Sequence, residues 1–159
     1  MLTDLRLKEN RTEAFLQWSD WSLEQKDCDP ALWLLNYLFD RYEHNQEQKY
    51  WVCWLYGTTY HLPTAWVIWN EFPDFELVDQ GRLQRWNDQN YQRLRYQTDT
   101  KWNKGHLPQQ FASYKKWIKH NNQEGTQRAK FKSLENKSFE YVWQLISLNM
   151  HKFGRYSTW

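Results

Sequence analysis

The sequence predicts an all-α protein that folds as a single compact domain of about six to eight short helices. Large rings, with 12 Trp, 10 Tyr and 8 Phe, dominate over Val and Ile, and this disfavours a sheet. Apolar residues also recur at three-to-four-residue spacing, and helix-capping residues stand where several of these runs begin. With 159 residues, the chain is long enough to bury about two-thirds of its unfolded surface.

The first half of the chain predicts four helices. They span residues 12–26, 30–43, 47–56 and 63–72. Asp29 and Pro30 provide a capping side chain and a proline at the first helical position. We expect the third helix to stop at Gly57, because glycine adopts the left-handed conformation that often follows a helix. Pro73 ends the fourth.

The second half predicts three further helices and one long loop. The helices span residues 79–90, 108–120 and 137–150, and the residues after Gly154 resemble the start of another. Residues 96–105 are mostly polar and lack helical periodicity, so we expect a loop there. A long loop inside a compact domain is often functional. Because the chain stops at Trp159, just after a helix begins, we expect it to be a fragment or a shortened form.

The charges are divided unevenly along the chain. Residues 1–80 hold 6 Lys/Arg and 14 Asp/Glu, whereas residues 81–159 hold 15 Lys/Arg and 5 Asp/Glu. The net charges of these halves are −8 and +10. In the basic half, cations alternate with rings, as around Lys101, Trp102 and Lys104. This mixture suits nucleic acid with an unpaired or extruded base. A solvated basic surface with its rings turned inward is an equally good interpretation.

Several function classes lose support from the sequence. It has no phosphate-binding P-loop, dinucleotide-binding glycine pattern, zinc-protease motif or nucleophile elbow. The five histidines have no ligand spacing, so neither a metal nor another cofactor is expected. Cys28 and Cys53 are interpreted as buried thiols. No membrane span or signal peptide is predicted, which favours an intracellular location.

A polar step, Gly-Thr-Thr-Tyr-His, interrupts the aromatic run of residues 50–72 and is the first candidate site. The hydroxyls near this turn could bind a phosphate, and His61 could transfer a proton. The alternative is a capped turn whose polar groups satisfy backbone atoms. The candidates of this group are Tyr56, Thr58, Thr59, Tyr60 and His61.

Two further groups follow along the chain. Asn70 and Glu71 end a Trp-rich helix, where Glu71 could be a base or an ordinary surface carboxylate. The loop of residues 96–105 and its approach combine several cations with one carboxylate. They could hold a pyrophosphate or a DNA backbone, or form a mobile surface loop. The residues concerned are Arg95, Asp99, Lys101, Trp102 and Lys104.

Three segments resemble one known family. They are LYGTTYHLPTAWVIWNEFP from Leu55 to Pro73, RLRYQTD from Arg93 to Asp99, and FGRY from Phe153 to Tyr156. The chain resembles the bacteriophage amino acid:DNA transferases, also called α-glutamyl/putrescinyl thymine pyrophosphorylases, from about residue 30 to its end. Family members are generally longer, in agreement with the expected truncation.

The resemblance implies a role in thymine hypermodification in the cytoplasm of the infected bacterial host. Pyrophosphorylated 5-hydroxymethyluracil in DNA would exchange its pyrophosphate for the amine of an amino acid or polyamine. The resemblance also implies a fold distantly like that of helix-hairpin-helix DNA glycosylases. Residues 153–158 are similar to the hairpin that grips a DNA phosphate, although only Gly154 of its two glycines is present.

The implied roles extend the three candidate groups. His61, Glu71 or Asp99 would act in catalysis, with His61 or Glu71 accepting the amine proton. Substrate binding would fall to Tyr56, Thr58, Thr59, Trp66, Asn70 and Trp102. Pyrophosphate and DNA would be bound by Arg93, Arg95, Lys101, Lys104, Lys115, Gly154, Arg155 and Tyr156. The alternatives are a non-catalytic phage DNA-binding protein and a glycosylase-like protein that extrudes bases.

Overall fold

The computed structural model describes residues 7–25 and 30–158, and within them every regular element is helical. The all-α class is therefore confirmed. The α-helices are α1 (Lys8–Gln25), α2 (Pro30–Arg41), α3 (Gln46–Thr59), α4 (Leu62–Glu71), α5 (Gln80–Asn90), α6 (Leu107–Lys119), α7 (Gln127–Lys132), α8 (Phe139–Asn149) and α9 (Arg155–Thr158). One 3-10 helix, Thr98–Asn103, lies between α5 and α6. No described helix is both long and apolar enough to cross a bilayer.

The chain divides into two compact units, Met1–Tyr42 and Glu43–Trp159. The first unit contains α1 and α2, in which Leu35 and Phe39 are buried while Phe15 and Trp33 are exposed. The proposed capping residue Asp29 and the thiol of Cys28 lie outside the described residues. The expected single domain stays a prediction.

The second unit is built around stacked aromatic side chains. The Trp54 ring lies 5.1 Å from Trp51 and 4.6 Å from Tyr114 of α6, in stacked geometry on both sides. Phe111 and Ile68 complete this centre without solvent exposure. Full burial of a large apolar side chain contributes about 1.5–3 kcal/mol, so a few such rings supply much of the driving force for folding.

Helix α3 continues through Gly57, and the helix end predicted there is wrong. The helix ends two residues later, at Thr59, and the next residue, Tyr60, adopts a left-handed conformation with φ of 48°. A Cβ atom on Gly57 would lie 2.8 Å from the Ser157 carbonyl oxygen and 3.2 Å from the Phe153 ring. Glycine is therefore needed for the close approach of the C-terminal segment, and not to end the helix.

The loop expected at residues 96–105 contains the 3-10 helix, so this part of the prediction is wrong. Thr100 and Asn103 are buried in it. The Thr100 hydroxyl donates to the Thr59 carbonyl oxygen over 2.8 Å, and the Gln97 amide donates to the same oxygen over 3.0 Å. These two bonds attach the segment directly to the end of α3.

Helix α7 was not predicted from the sequence, because six residues are too few for a periodic pattern. Thr126 caps it locally, and the Glu47 carboxylate of α3 accepts the amides of Gln127 and Arg128 over 3.0 and 2.7 Å. The Tyr114 hydroxyl donates to the Gln127 side chain over 2.7 Å. Burial raises the pKa of Tyr114 well above its ordinary value, and the nearby charge of Glu47 raises it further.

Candidate functional site

An open cleft of roughly 460 Å³ lies between the 3-10 helix, α8 and the segment that follows α8. It joins parts of the sequence that are about 50 residues apart. Polar, aromatic and charged side chains all contribute to its walls. Those that matter for its chemistry are Asp99, Trp102, Asn103, Trp143, Ser147 and Lys152.

Asp99 is held at the cleft by a strained neighbour. Thr98 has a left-handed backbone with φ of 52°, which is unfavourable for a β-branched residue. Its hydroxyl donates to Asp99 Oδ1 over 3.1 Å. The other carboxylate oxygen would lie 3.2 Å from a Cβ atom placed on Gly154, so glycine leaves room for this carboxylate. Backbone strain of this kind is concentrated at functional sites.

Two indole rings belong to the cleft. Trp102 is 73% exposed, and the Lys101 ammonium lies 5.2 Å from its ring centroid. Trp143 reaches the cleft from α8, one helical turn before Ser147. An exposed ring such as Trp102 can stack on a nucleobase, at about 1–3 kcal/mol for each base.

The segment after α8 is held from two sides. Lys152 has a left-handed backbone with φ of 51°, and its carbonyl oxygen accepts from Asn103 over 3.1 Å and from Gln110 over 3.4 Å. The next ring, Phe153, is stacked parallel to Trp54 at 6.2 Å. The cleft is thereby anchored to the aromatic core.

The threonines of the Gly-Thr-Thr-Tyr-His step are buried. The Thr58 hydroxyl donates to the Trp54 carbonyl oxygen over 2.9 Å, and that of Thr59 donates to Leu55 over 3.0 Å. Tyr56 and Tyr60 stack on each other at 5.2 Å. None of these four residues lines the cleft. Their substrate-binding roles stay predictions, and the geometry describes a capped turn.

His61 caps α4 with its own side chain. Its Nδ1 atom accepts from the Thr64 amide over 3.3 Å and lies 2.9 Å from the Thr64 hydroxyl. That hydroxyl in turn accepts from the Arg95 amide over 3.1 Å. An Nδ1 atom that accepts a hydrogen bond leaves the ring proton on Nε2. Its role as a base stays a prediction.

The residues predicted on α4 have other neighbours. Glu71 forms a surface ion pair with Arg82. The Trp66 ring packs against Trp69 at 4.7 Å, and Asn70 is exposed. All of them lie outside the walls of the cleft.

The cations predicted to bind phosphate are mostly exposed. Arg93, Arg95, Lys101 and Lys104 are on the surface around the 3-10 helix. Lys104 donates to the Gln92 carbonyl oxygen over 2.8 Å. Lys115 differs from these four in being half-buried, and its ammonium donates to the Val78 carbonyl oxygen over 3.4 Å and lies over Phe111. The side chains of Arg155 and Tyr156 are outside the described part of the structure.

Among the predicted residues, the cleft brings together Asp99, Trp102 and Gly154. Sequence reasoning missed Asn103, Trp143, Ser147 and Lys152. The i, i+4 spacing of Trp143 and Ser147 was a usable signal, because it places a polar residue on the ring's face of the helix. No local sequence signal identified Asn103 or Lys152 as a cleft residue.

Comparison with known proteins places the chain in a family. The sequence model of the amino acid:DNA transferases matches residues 12–159. A serinyltransferase of Salmonella phage ViI is 26% identical over 98% of this chain. The alignment covers 40% of that protein, so the chain spans less than half the length of this curated relative. No solved structure matches significantly. The chain belongs to the amino acid:DNA transferase family.

Proposed function

We propose that this chain takes part in the transfer of an amino acid onto DNA, with the cleft as the place where the base and the amine meet. The observation that supports this is the cleft itself, because it combines one carboxylate, two indole rings and one lysine. A base can stack on Trp102 or Trp143, and an amine can bind to Asp99. The name of the phage serinyltransferase gives the same class of reaction.

The proposed acceptor is DNA with a modified pyrimidine, 5-hydroxymethyluracil carrying pyrophosphate, as the resemblance implies. The amine nitrogen attacks the methylene carbon, and the bond from that carbon to the pyrophosphate oxygen breaks. Pyrophosphate leaves with the electron pair. The new nitrogen centre loses one proton, and atoms and charge then balance. An amino acid is the proposed donor, with a polyamine as the second donor class.

Asp99 is the proposed proton acceptor. His61 and Glu71 lie outside the walls of the cleft, whereas Asp99 is within them, fixed by Thr98 and Gly154. A base must stand within hydrogen-bond reach of the proton that it takes. The carboxylate also attracts the ammonium of the incoming amino acid.

The cations around the 3-10 helix are the proposed contacts to the DNA backbone. Arg93, Arg95 and Lys101 are exposed. Extruding a base costs a few kcal/mol, which stacking on the indoles would offset. The proposed location is the cytoplasm of the infected host, where phage DNA is modified.

The experiment is a transfer assay on duplex DNA that contains pyrophosphorylated 5-hydroxymethyluracil. The protein is incubated with this DNA and single amino acids or polyamines, and the nucleosides are identified by mass spectrometry. We expect an amino acid adduct, and on the order of 10²-fold or greater loss with Asp99→Asn. Asp88→Asn is the matched control, since Asp88 is exposed and bonds to Gln84 on α5. The absence of an adduct with every donor would contradict the proposed function.

A second candidate is a non-catalytic DNA-binding module, which the net charge of +10 in residues 81–159 favours. It predicts that Asp99→Asn leaves DNA binding unchanged and that no substrate is converted. A substrate-dependent adduct from the wild-type protein excludes this candidate.

A further inference from the structure

Three basic side chains converge at one end of the cleft. The Lys152 ammonium lies 2.9 Å from Nε2 of His106, and the rings of His106 and His151 are 5.7 Å apart. We call His106, His151 and Lys152 the basic triad. Two of these residues follow α8 directly, and the third precedes α6.

The backbone of the basic triad is fixed by hydrogen bonds from neighbouring elements. The His151 amide donates to the Ser113 hydroxyl over 2.9 Å, and the His106 amide donates to the Asn103 carbonyl oxygen over 2.8 Å. Asn103 and Gln110 hold the Lys152 carbonyl oxygen, as described above. The three groups are thus held together by the fold and do not meet by chance on a surface.

The basic triad has no carboxylate among its hydrogen bonds and ion pairs within the described residues. Burial lowers the pKa of His106, and the positive charges of Lys152 and His151 lower it further. Lys152 donates to Nε2 of His106, so this ring is neutral and carries its proton on Nδ1. The Lys152 ammonium therefore lies beside a neutral imidazole and not beside a carboxylate, and a bound anion would compensate its charge.

We propose that the basic triad is a binding site for a multiply charged oxyanion, a phosphate or diphosphate group, placed beside the cleft through Lys152. The arrangement suits such a group better than the DNA backbone, where each phosphodiester carries one charge. Three donors close together match an anion that concentrates several charges in one place. Only the identity of the natural ligand rests on the proposed function, in which that ligand is the departing pyrophosphate.

The proposal gives a sign for the pH dependence. An anion favours the protonated form of His106, so binding takes up protons and becomes tighter as the pH falls. Asp99 of the 3-10 helix, which lines the cleft together with Lys152, is the charged group of that element, whereas α6 contributes the non-titrating Gln110 and Ser113. We expect the change over the range where histidine titrates.

The test is calorimetric titration of the protein with inorganic pyrophosphate, in the absence of DNA and amino acid, at pH 6.5 and pH 8.0. We expect tighter binding at pH 6.5, a tenfold or greater loss with Lys152→Met, and a reduced pH dependence with His106→Gln. Lys137→Met is the control, because Lys137 is exposed and lies 5.8 Å from the Tyr141 ring. Circular dichroism verifies the fold of each variant.

A measurement on the wild-type protein needs no variant. Pyrophosphate should shift the NMR signals of the His106 and His151 ring protons, while those of His61 stay unchanged. Pyrophosphate binding that is equal in the wild type, Lys152→Met and His106→Gln would overturn the proposal.

Inorganic phosphate and a short duplex DNA form the other arms of the experiment. Weaker binding of phosphate than of pyrophosphate supports a diphosphate site. If duplex DNA binds through Lys152 and pyrophosphate does not bind, the proposal is wrong and the basic triad is a backbone contact. The two proposals can fail separately. If the transfer assay fails but pyrophosphate binding depends on Lys152, the proposed function is contradicted and the oxyanion site is supported.

Discussion

At the scale of single residues, Gly57 controls how closely the C-terminal segment approaches α3. The space for a side chain is taken by the Ser157 carbonyl oxygen and the Phe153 ring. Phe153 is also one of the residues that line the cleft. A change at Gly57 therefore affects both packing and the cleft.

Gly57→Ala should destabilise the protein by about 1–3 kcal/mol, because a backbone atom cannot easily move away from the new methyl group. For a chain of this size, we expect the melting temperature to fall by about 2–4 °C for each kcal/mol. Thermal unfolding followed by circular dichroism measures this.

Gly81→Ala is the matched control for this substitution. A Cβ atom on Gly81 of α5 would lie 3.4 Å from its nearest neighbours, which is ordinary contact. Alanine also favours helix by up to about 1 kcal/mol over glycine, so this variant should be neutral or more stable. Equal effects of the two substitutions would contradict the role given to Gly57.

The sequence could not reveal the partners of the polar turn. The Thr58 and Thr59 hydroxyls donate to carbonyl oxygens of their own helix, and the Thr59 hydroxyl also accepts from the His61 amide. The Thr59 carbonyl oxygen accepts from Thr100, 41 residues away. Composition identified the turn as unusual, but only the fold shows that its polar groups bond to backbone atoms. Asp99 and Trp102, by contrast, were predicted from residue type alone and do reach the cleft.

At the scale of elements, α7 depends on a distant carboxylate. Glu47 of α3 accepts two amides at the start of α7, and its oxygens also meet the Gln127 side chain at 3.1 Å. A six-residue helix has little stability of its own, because nucleation is costly. Glu47 therefore stabilises the start of α7 by accepting amides that have no partner within this short helix.

Glu47→Ala should destabilise the protein by about 1–3 kcal/mol, since it leaves the donors of the buried Gln127 without their carboxylate acceptor. Urea unfolding measures the loss, and hydrogen exchange should accelerate at the α7 amides. Glu76→Ala is the control, because Glu76 forms only an exposed ion pair with Lys119 at 3.7 Å. It should cost about 0–1 kcal/mol. Unchanged exchange in α7 would contradict the capping role.

The sequence predicted the longer helices well, and the shorter elements much less so. Asp79 and Ser138 cap α5 and α8 as side-chain acceptors, and such local signals can be read directly. The 3-10 helix and α7 depend on Thr59 and Glu47, which are remote in sequence. These elements of about six residues are stabilised by remote contacts, so no local sequence pattern predicts them.

At the scale of the whole molecule, the separation of charge along the chain is the strongest indication of a polyanionic partner. Residues 81–159 carry a net charge of +10, and their exposed cations include Arg93 and Arg95. Not every cation is available, since Lys130 is buried against Trp117 and donates to the His120 carbonyl oxygen over 2.8 Å. Burial lowers the pKa of Lys130.

DNA binding should weaken steeply with salt, and Arg95→Ala should reduce the slope of log K against log salt by about 0.9, as expected for one lost phosphate contact. Fluorescence anisotropy over a series of salt concentrations measures this slope. Lys8→Ala, in exposed α1 of the acidic half, should leave it unchanged. A slope that Arg95→Ala does not alter would remove this residue from the DNA interface.

The two walls of the cleft differ in how freely they can vary. The 3-10 wall is attached through Thr100 and Asn103, so a substitution at either residue breaks a hydrogen bond to another element. On the α8 wall, the Ser147 hydroxyl donates to the Gln144 carbonyl oxygen of its own helix over 2.9 Å. A substitution at Ser147 can therefore change the α8 wall while the opposite wall keeps its geometry. One wall of the cleft is fixed by hydrogen bonds to other elements, whereas the other tolerates substitution at Ser147.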